Sequence, residues 1–162
     1  MGTFKLLTSE FNEIDFQLLA IHSPFEGYRL AFFINKLLKI NLIRSKNKLQ
    51  VLQKKGNSNF ERFSYDDVKN DRIWDLVENK NTVASVEHAA ANDLFFETLT
   101  PFSIPTFLVP EYKKVDFFLR IACESDAAIN AKLVSELKKI KLITTVYEIN
   151  TDKIKSRNNL IF

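Results

Sequence analysis

The stretch that decides the fold is Asp15-Phe-Gln-Leu-Leu-Ala-Ile-His22, which runs directly into Ser23-Pro-Phe-Glu26. The first part is apolar on both of its faces, which is typical of a central strand. In the second part the serine can cap a helix, the proline suits the first helical position, and the glutamate completes a capping box. The helix that follows is marked by an apolar stripe at helical spacing, formed by Leu30, Phe33, Ile34, Leu37 and Leu38. Together with a second strand over 41–45, the segment 15–45 therefore predicts a β-α-β unit.

The same order of elements returns near the end of the chain. Residues 115–122 alternate as a strand does, a helical stripe follows, and residues 142–149 alternate again. The segment 115–149 therefore predicts a second β-α-β unit. Its run Leu137-Lys-Lys-Ile-Lys-Leu-Ile143 matches Leu37-Leu-Lys-Ile-Asn-Leu-Ile43, which indicates either an internal repeat or the shared chemistry of a helix-to-strand turn.

Two such units side by side predict an α+β fold, namely a ferredoxin-like plait with two helices on one face of a four-stranded antiparallel sheet. Between the units, residues 49–110 hold short β-prone runs with turn signals at 56–58 and 79–81, so we expect an inserted β-meander and a loop over 88–93. The whole chain, 1–162, is expected to be a single domain. The sheet face that carries Phe118 and Arg120 needs either water or a cover, and the meander is a candidate for the cover.

Composition excludes several classes of protein. The chain has 162 residues, of which 46% are hydrophobic and 27% charged, as in ordinary globular domains. It has no apolar run of about 18 residues, so we expect no membrane span. A single cysteine and a start unlike a signal peptide predict a cytoplasmic protein. With only 2 histidines, 1 cysteine and 3 glycines, neither a usual zinc site nor a glycine-rich phosphate loop can be assembled, so we expect no cofactor and no metal.

Charge is distributed unevenly along the chain. The segment 27–60 holds 8 basic residues and no acidic one. Such a segment predicts a basic face that attracts an anionic partner, whereas the alternative is a solvated surface whose charges balance in three dimensions. The candidate partner-binding residues are Arg29, Lys36, Lys39, Arg44, Lys46 and Lys48.

One run of the sequence carries a family resemblance. Val109-Pro-Glu-Tyr-Lys-Lys-Val-Asp-Phe-Phe-Leu119 resembles the signature of the bacterial IPExxxVDY family. The motif residues are Val109, Pro110, Glu111, Val115, Asp116 and Phe117, of which the first stands for the family's Ile and the last for its Tyr. The runs Ala20-Ile-His-Ser23, Tyr28-Arg-Leu30 and Asn159-Leu-Ile-Phe162 are similar too, so the resemblance spans nearly the whole chain. It implies no established activity, and it implies genes that lie near those of acyl carrier protein, a fatty-acid condensing enzyme, ribonuclease III and pyruvate kinase. Because Phe117 stands where the family has Tyr, this chain lacks the tyrosine hydroxyl and any role that depends on it.

Few residues carry potential chemistry. His22 closes the predicted strand at 15–22, and Cys123 follows the predicted strand at 115–122. If these two strands are adjacent, the two residues could meet as a base and a nucleophile. An enzyme or ligand-binding protein would have its site near these two residues and near Glu111 and Asp116. The alternative is structural, because Cys123 can fill space, Glu111 can accept hydrogen bonds in a turn, and Asp116 needs a partner among apolar neighbours.

We therefore expect a non-catalytic interaction or regulatory domain rather than an enzyme. Its partner is expected to be an anionic protein, for which acyl carrier protein would qualify, and edge strands predict a homodimer. RNA is the alternative partner, because Phe118 and Arg120 on an open sheet could stack bases. A deep pocket that joins His22, Cys123, Glu111 or Asp116 would favour the enzyme, and an exposed Phe118 and Arg120 would favour RNA. If neither feature is present, the protein partner is favoured.

Overall fold

The computed structural model describes residues 16–53, 56–86, 101–123 and 127–162. These ranges hold two α-helices, α1 over Gly27–Leu38 and α2 over Ala127–Leu137. The strands are β1 (Phe16–His22), β2 (Ile43–Arg44), β3 (Leu49–Gln53), β4 (Gly56–Phe60), β5 (Arg62–Asp67), β6 (Arg72–Glu78), β7 (Lys80–Val86), β8 (Pro101–Phe107), β9 (Phe117–Ala122) and β10 (Thr145–Ile149). Single turns of 3-10 helix cover Pro110–Tyr112, Thr151–Lys153 and Arg157–Leu160.

Six of these strands form one sheet in the order β10-β1-β9-β6-β5-β2, and every neighbouring pair is antiparallel. The hairpins β3–β4 and β7–β8 form two further sheets of two strands each. The fold is therefore α+β with antiparallel sheets, as expected. The central sheet has six strands rather than four, because β5 and β6 of the expected meander pair between β9 and β2. Their apolar side chains explain this position, since Phe63, Trp74 and Leu76 share a core with the helices.

One face of the central sheet, here called the helix face, packs against α1 and α2. Its core is apolar and includes Leu19, Leu119 and Ile121 of the sheet, Leu30 and Ile34 of α1, and Leu133 and Leu137 of α2. Gly27, the first residue of α1, lies very close to this sheet. A Cβ atom there would be 2.8 Å from Cε2 of Phe63, so any side chain at this position would force the helix and the sheet apart.

The start of α1 differs from the sequence-based prediction. The helix begins at Gly27 rather than at Pro24, so the predicted capping box is wrong. Glu26 is the N-cap residue and its side chain makes no capping hydrogen bond. The backbone N–H of Ser23 donates instead to Oδ2 of Asp116 at 2.9 Å. This long-range contact fixes the end of β1, and residues 23–26 form an irregular link before the helix.

The opposite face of the sheet, here called the covered face, is not open to water. Its core joins Leu18, Ala20 and Phe118 of the sheet to Phe60, Leu108, Val109, Ile154 and Leu160. The cover therefore consists of the β3–β4 hairpin, the segment 108–115 and the segment 150–162. Leu160 is fully buried and Phe162 packs against the same core, so this apolar run docks on the sheet.

Some expectations fall on other parts of the chain. The loop predicted over 88–93 lies outside the described residues. Within the described ranges, no helix is long and apolar enough to cross a membrane.

Candidate functional site

The segment that carries the family resemblance connects β8 to β9 over the covered face. Pro110 opens a single turn of 3-10 helix, and Val109 before it has the extended backbone that a following proline favours (φ −119°, ψ 93°). Val109, Val115 and Phe117 are buried, whereas Pro110 is exposed. The apolar members of the motif are thus core residues that anchor the segment to the sheet.

Asn79, between β6 and β7, holds this segment in place. Its Oδ1 accepts from the N–H of Val109 at 2.8 Å, and its Nδ2 donates to the carbonyl oxygens of Tyr112 at 2.8 Å and of Val115 at 2.9 Å. Its own backbone N–H and C=O bond to the two ends of the same segment, each at 2.9 Å. The side chain is fully buried. The sequence predicted only a turn over 79–81, and the signal for this role is not local, because every partner lies some 30 or more residues away in the chain.

Asp116 joins the start of β9 to the end of β1. Its Oδ2 accepts from the backbone N–H of Ser23, its Oδ1 accepts from Nζ of Lys80 at 2.6 Å, and its own N–H donates to the carbonyl of Ile21 at 3.2 Å. The expected need for a partner is therefore met by one cation and one backbone amide. Both groups that donate to the carboxylate, the N–H of Ser23 and Nζ of Lys80, therefore belong to residues at or next to the ends of strands.

Glu111 ties the motif to the segment 150–162. Its Oε1 accepts from the N–H of Ser156 at 2.8 Å and its Oε2 accepts from the hydroxyl of the same residue at 2.7 Å. Partial burial raises the pKa of the Glu111 carboxyl, but the hydrogen bonds from Ser156, together with those from the backbone of Glu111 and Lys155, outweigh it and hold that pKa below its ordinary value. The group is thus an ionised tether between two parts of the cover.

A buried ionic cluster lies on the covered face. Asp75 of β6 is fully buried and accepts from Nε of Arg62 at 2.9 Å, from the hydroxyl of Ser64 at 2.6 Å and from Arg120 at 2.9 Å. Burial lowers the pKa of the Arg120 guanidinium, and the neighbouring carboxylate of Asp75 opposes that shift. Two arginines therefore share one carboxylate inside the protein.

Aromatic rings complete the surroundings of these arginines. The guanidinium of Arg120 lies 4.9 Å from the ring centre of Phe16 and 4.9 Å from that of Phe162. The guanidinium of Arg62 lies 4.3 Å from the ring centre of Phe162, and that of Arg157 lies 5.5 Å from the ring centre of Phe16. Guanidinium groups and phenyl rings thus alternate in one stack, and cation–π attraction adds to the ion pairs. The stack fixes the segment 150–162 to the sheet.

The proposed base and nucleophile do not meet. β1 and β9 are adjacent as expected, but they are antiparallel, so Phe16 pairs with Ala122 and Ile21 pairs with Phe117. His22 and Cys123 therefore lie at opposite ends of the ladder, roughly 20 Å apart at about 3.3 Å per residue. The prediction that they could be neighbours is wrong, because it considered strand adjacency without strand direction. His22 instead stacks on Tyr147, with ring centres 5.8 Å apart.

The surface expected for RNA is also closed. Phe118 is fully buried and Arg120 is 2% exposed. Neither side chain can stack a base while the cover is in place. The observation that would have favoured RNA is therefore absent from the described residues.

The six candidate partner-binding cations occupy different surroundings. Arg44 forms an ion pair with Glu61, and Nζ of Lys48 lies 3.8 Å from the same carboxylate, so these two are partly neutralised. The other four, Arg29, Lys36, Lys39 and Lys46, are exposed, and none of them forms an ion pair with another described residue. Lys39 ends α1 in the left-handed conformation (φ 54°). Lys46 and Lys48 line an open groove of about 590 Å³ beside β3 and β4.

The helix that carries two of these free cations also exposes aromatic rings. Tyr28 is 62% and Phe32 is 61% exposed, and the rings of Phe32 and Phe33 meet edge to face at 5.4 Å. Phe33 was expected in the buried stripe, but it is 37% exposed and Ala31 is buried instead. We call the set Tyr28, Arg29, Phe32, Phe33 and Lys36 the outer face of α1. Helical spacing could have revealed it, because these residues recur every three or four positions opposite Leu30 and Ile34.

Searches for related proteins and for metal sites add no further residue. In the described ranges, no group of three or more His, Cys, Asp or Glu side chains is arranged to hold a metal ion. Comparison of the chain with protein-family models, with curated proteins and with solved structures found no match. The resemblance carried by residues 109–119 therefore stays a prediction from the sequence.

Proposed function

We propose that this protein is a non-catalytic interaction domain that binds an acidic protein through the outer face of α1 and the basic residues that follow it. The observation that carries the proposal is the exposure of Tyr28 and Phe32 beside cations that have no ion-pair partner among the described residues. Large exposed rings in a soluble domain are typical of contact surfaces.

The chemistry of the outer face of α1 defines the partner. The helix Gly27–Leu38 contains no acidic residue, so the charges that it contributes to this face, Arg29 and Lys36, are all positive. The guanidinium of Arg29 lies 4.7 Å from the ring centre of Phe25, and the residue is exposed. A partner that fits would offer carboxylates to Arg29 and Lys36 and an apolar side chain to Phe32. An acidic amphipathic helix has both features.

Lys39 and Lys46 extend the same charge beyond the helix. Both are exposed, and the groove beside Lys46 is polar and open. Such a surface attracts an acidic protein from a distance, while the aromatic rings supply the short-range contact. The remaining cations, Arg44 and Lys48, contribute less because Glu61 lies beside them.

The proposal can be tested by charge reversal with a matched control. The variant Arg29→Glu/Lys36→Glu changes the outer face of α1, and the variant Lys141→Glu/Lys153→Glu makes the same change in net charge at exposed positions elsewhere. Wild-type and variant proteins would be immobilised and exposed to bacterial lysate with and without nuclease treatment, at low and at moderate salt. Bound proteins would be identified by mass spectrometry.

We expect acidic proteins that bind wild type and the control variant but not the α1 variant, with less binding at the higher salt because screening weakens exposed charges. Phe32→Ser should reduce the same binding, since the contact is aromatic as well as ionic. Binding that disappears only after nuclease treatment would replace the proposal with RNA binding. Equal binding by both charge-reversed variants, or binding of wild type to anionic lipid vesicles but to no protein, would overturn it.

The finer architecture belongs to the same proposal. We propose that the order β10-β1-β9-β6 with α1 and α2 is a ferredoxin-like plait in which β6, rather than the strand expected over 41–45, takes the fourth position. Membership of the IPExxxVDY family and a cytoplasmic location are proposed with it. The motif Val109–Phe117 supports the first, and the single cysteine, Cys123, is compatible with the second.

A further inference from the structure

The two edges of the central sheet differ in a way that bears on self-association. At one edge β2 is only 2 residues long. Arg44 belongs to this strand, and Lys46 and Lys48 follow it closely in the sequence. At the other edge β10 is 5 residues long and contains neither proline nor a basic residue. Among the described residues, no strand pairs with the outer side of β10. Natural sheets protect their edges with short strands, charge or proline, and β10 has little of this protection.

The direction of the backbone groups on β10 follows from β1. The carbonyl of Ile21 accepts from Asp116 on the β9 side, and the carbonyl of His22 accepts from Thr144 on the β10 side. Backbone groups of successive residues in an antiparallel strand point to alternate sides. The N–H and C=O groups of Ala20 and Leu18 therefore point to β10, where these residues pair with Tyr147 and Ile149. It follows that the N–H and C=O groups of Val146 and Glu148 point outward, to the unpaired side.

We propose that two copies of this chain pair through β10, antiparallel, with the two-fold axis at Tyr147. In this register Val146 of one copy lies opposite Glu148 of the second copy, and each such pair exchanges two backbone hydrogen bonds. The two Tyr147 residues form the close, non-hydrogen-bonded pair at the axis, about 4.5 Å apart at their Cα atoms.

Side-chain chemistry fits this register. Tyr147 is 38% exposed and already stacks on His22, so a second ring across the axis would cover its open side. Glu148 would face the neutral Val146, so no like charges would be directly opposed. Its carboxylate is already held by Nδ2 of Asn130 at 2.6 Å and would stay on the helix face.

The pairing leaves the proposed partner site free. α1 packs on β5 and β6, whereas α2 packs on β10. The outer face of α1 therefore lies away from the β10 edge, and the dimer would carry two such faces. This inference does not depend on the proposed function, because it rests on β10 alone.

The first test separates a backbone contact from a side-chain contact. Glu148→Pro removes the outward N–H but not a hydrogen bond to β1, and Glu148→Ala removes the same carboxylate while keeping that N–H. Analytical ultracentrifugation over a wide concentration range should give a dimer for wild type and for Glu148→Ala. For Glu148→Pro the dimer dissociation constant should rise about tenfold or more, since two symmetric hydrogen bonds are lost. Circular dichroism would check that each variant is folded.

The second test reads the register directly and does not depend on the proline variant. Tyr147→Cys places two thiols across the axis at a separation that suits a disulfide, whereas Thr145→Cys places them about four residues out of register. Under an added oxidant that takes up two electrons and two protons per bond, Tyr147→Cys should form a covalent dimer quickly, and Thr145→Cys and wild type should not. A wild type that is monomeric at all concentrations, a Glu148→Pro dimer as tight as that of Glu148→Ala, or equal cross-linking at 145 and 147 would each overturn the proposal.

Discussion

The helix face and the covered face of the central sheet are both buried, but they are buried by different means. The helix face is closed by two α-helices and its core is apolar. The covered face is closed largely by irregular segments and contains the fully buried Asp75 and Asn79 and the almost fully buried Arg120. Asp75 and Arg120 belong to the sheet and project to the covered face, so the two faces differ both in the sheet's own side chains and in what packs on them.

The hydrogen-bonding needs of the cover explain part of this difference. A helix satisfies its own backbone groups, so it can cover a sheet with apolar side chains alone. An irregular segment leaves N–H and C=O groups that need partners when they are buried. On the covered face, Asn79 serves three such groups, Asn159 donates to the carbonyl of Leu108 at 2.8 Å, and Glu111 accepts from the N–H of Ser156. These three side chains therefore serve backbone groups of the irregular cover, whereas Asp75 and Arg120 bond to each other within the sheet.

The largest expected effect concerns the buried ionic cluster. Asp75→Ala removes the carboxylate that Arg62 and Arg120 share and leaves the almost fully buried Arg120 without a counter-charge. We expect the free energy of unfolding to fall by about 3–5 kcal/mol, as in other proteins that lose one partner of a buried ion pair. Urea denaturation followed by circular dichroism measures it.

Arg120→Met is the matched comparison for this prediction. It leaves Asp75 bonded to Arg62 and Ser64 and fills the space with an apolar chain, so its loss of stability should be smaller than that of Asp75→Ala. If Asp75→Ala loses no more stability than Arg120→Met, or no more than a single neutral hydrogen bond, about 1 kcal/mol, then the uncompensated charge of Arg120 is not what destabilises the variant.

A second, smaller effect is expected where Asn79 supports the motif segment. Asn79→Asp keeps an oxygen for the N–H of Val109 but turns a second oxygen toward the carbonyls of Tyr112 and Val115. The loss should be about 2–3 kcal/mol near neutral pH, since two buried acceptors lose their donor. It should shrink in acid, because protonation of the introduced carboxyl restores one donor. Thermal melts at several pH values would check both points.

Asn81→Asp is the control, since this side chain lies only two residues away and is partly exposed. It should lose much less stability than Asn79→Asp. A loss for Asn79→Asp that is the same at every pH would mean that the donor function of this amide is unimportant.

The smallest effect is a pH dependence at Glu111. The pKa of this carboxyl is lowered in the folded protein, so its ionised form stabilises the fold at pH values above its ordinary pKa of 4.5. That contribution is lost as the pH falls through the lowered folded value. Glu111→Gln should therefore be slightly less stable than wild type around neutral pH, and the difference should vanish in acid well below pH 4.5. A difference between the two melting temperatures that grows in acid would contradict this assignment.

Periodicity predicted the elements that bury continuous apolar patterns. The strand at 16–22, the strand at 117–122 and the helix after Pro24 were all visible because each pattern is local. The helix start was misplaced by three residues because the N–H of Ser23 bonds to Asp116, a residue 93 positions away. No local pattern contains that partner.

Pairing partners were the part of the fold that the sequence did not reveal. β5 and β6 read as members of a separate meander, yet they join the central sheet beside β9. Residues of the candidate site were missed for a related reason. Asn79 resembles any turn asparagine, and Phe32 resembles any core phenylalanine, until the positions of their neighbours are known.

The alternating stack of arginines and phenyl rings has a consequence for the order of folding. The stack and the carboxylate of Asp75 beside it come from widely separated parts of the chain: Phe16 lies on β1, Arg62 and Asp75 on β5 and β6, Arg120 on β9, and Phe162 beyond them all. A chain still being synthesised as far as β6 would hold Asp75 and Arg62 without Arg120 or either of the segments that close over them. Contacts between distant residues slow folding, so we infer that the stack closes only after β9 and the segment 150–162 have been synthesised.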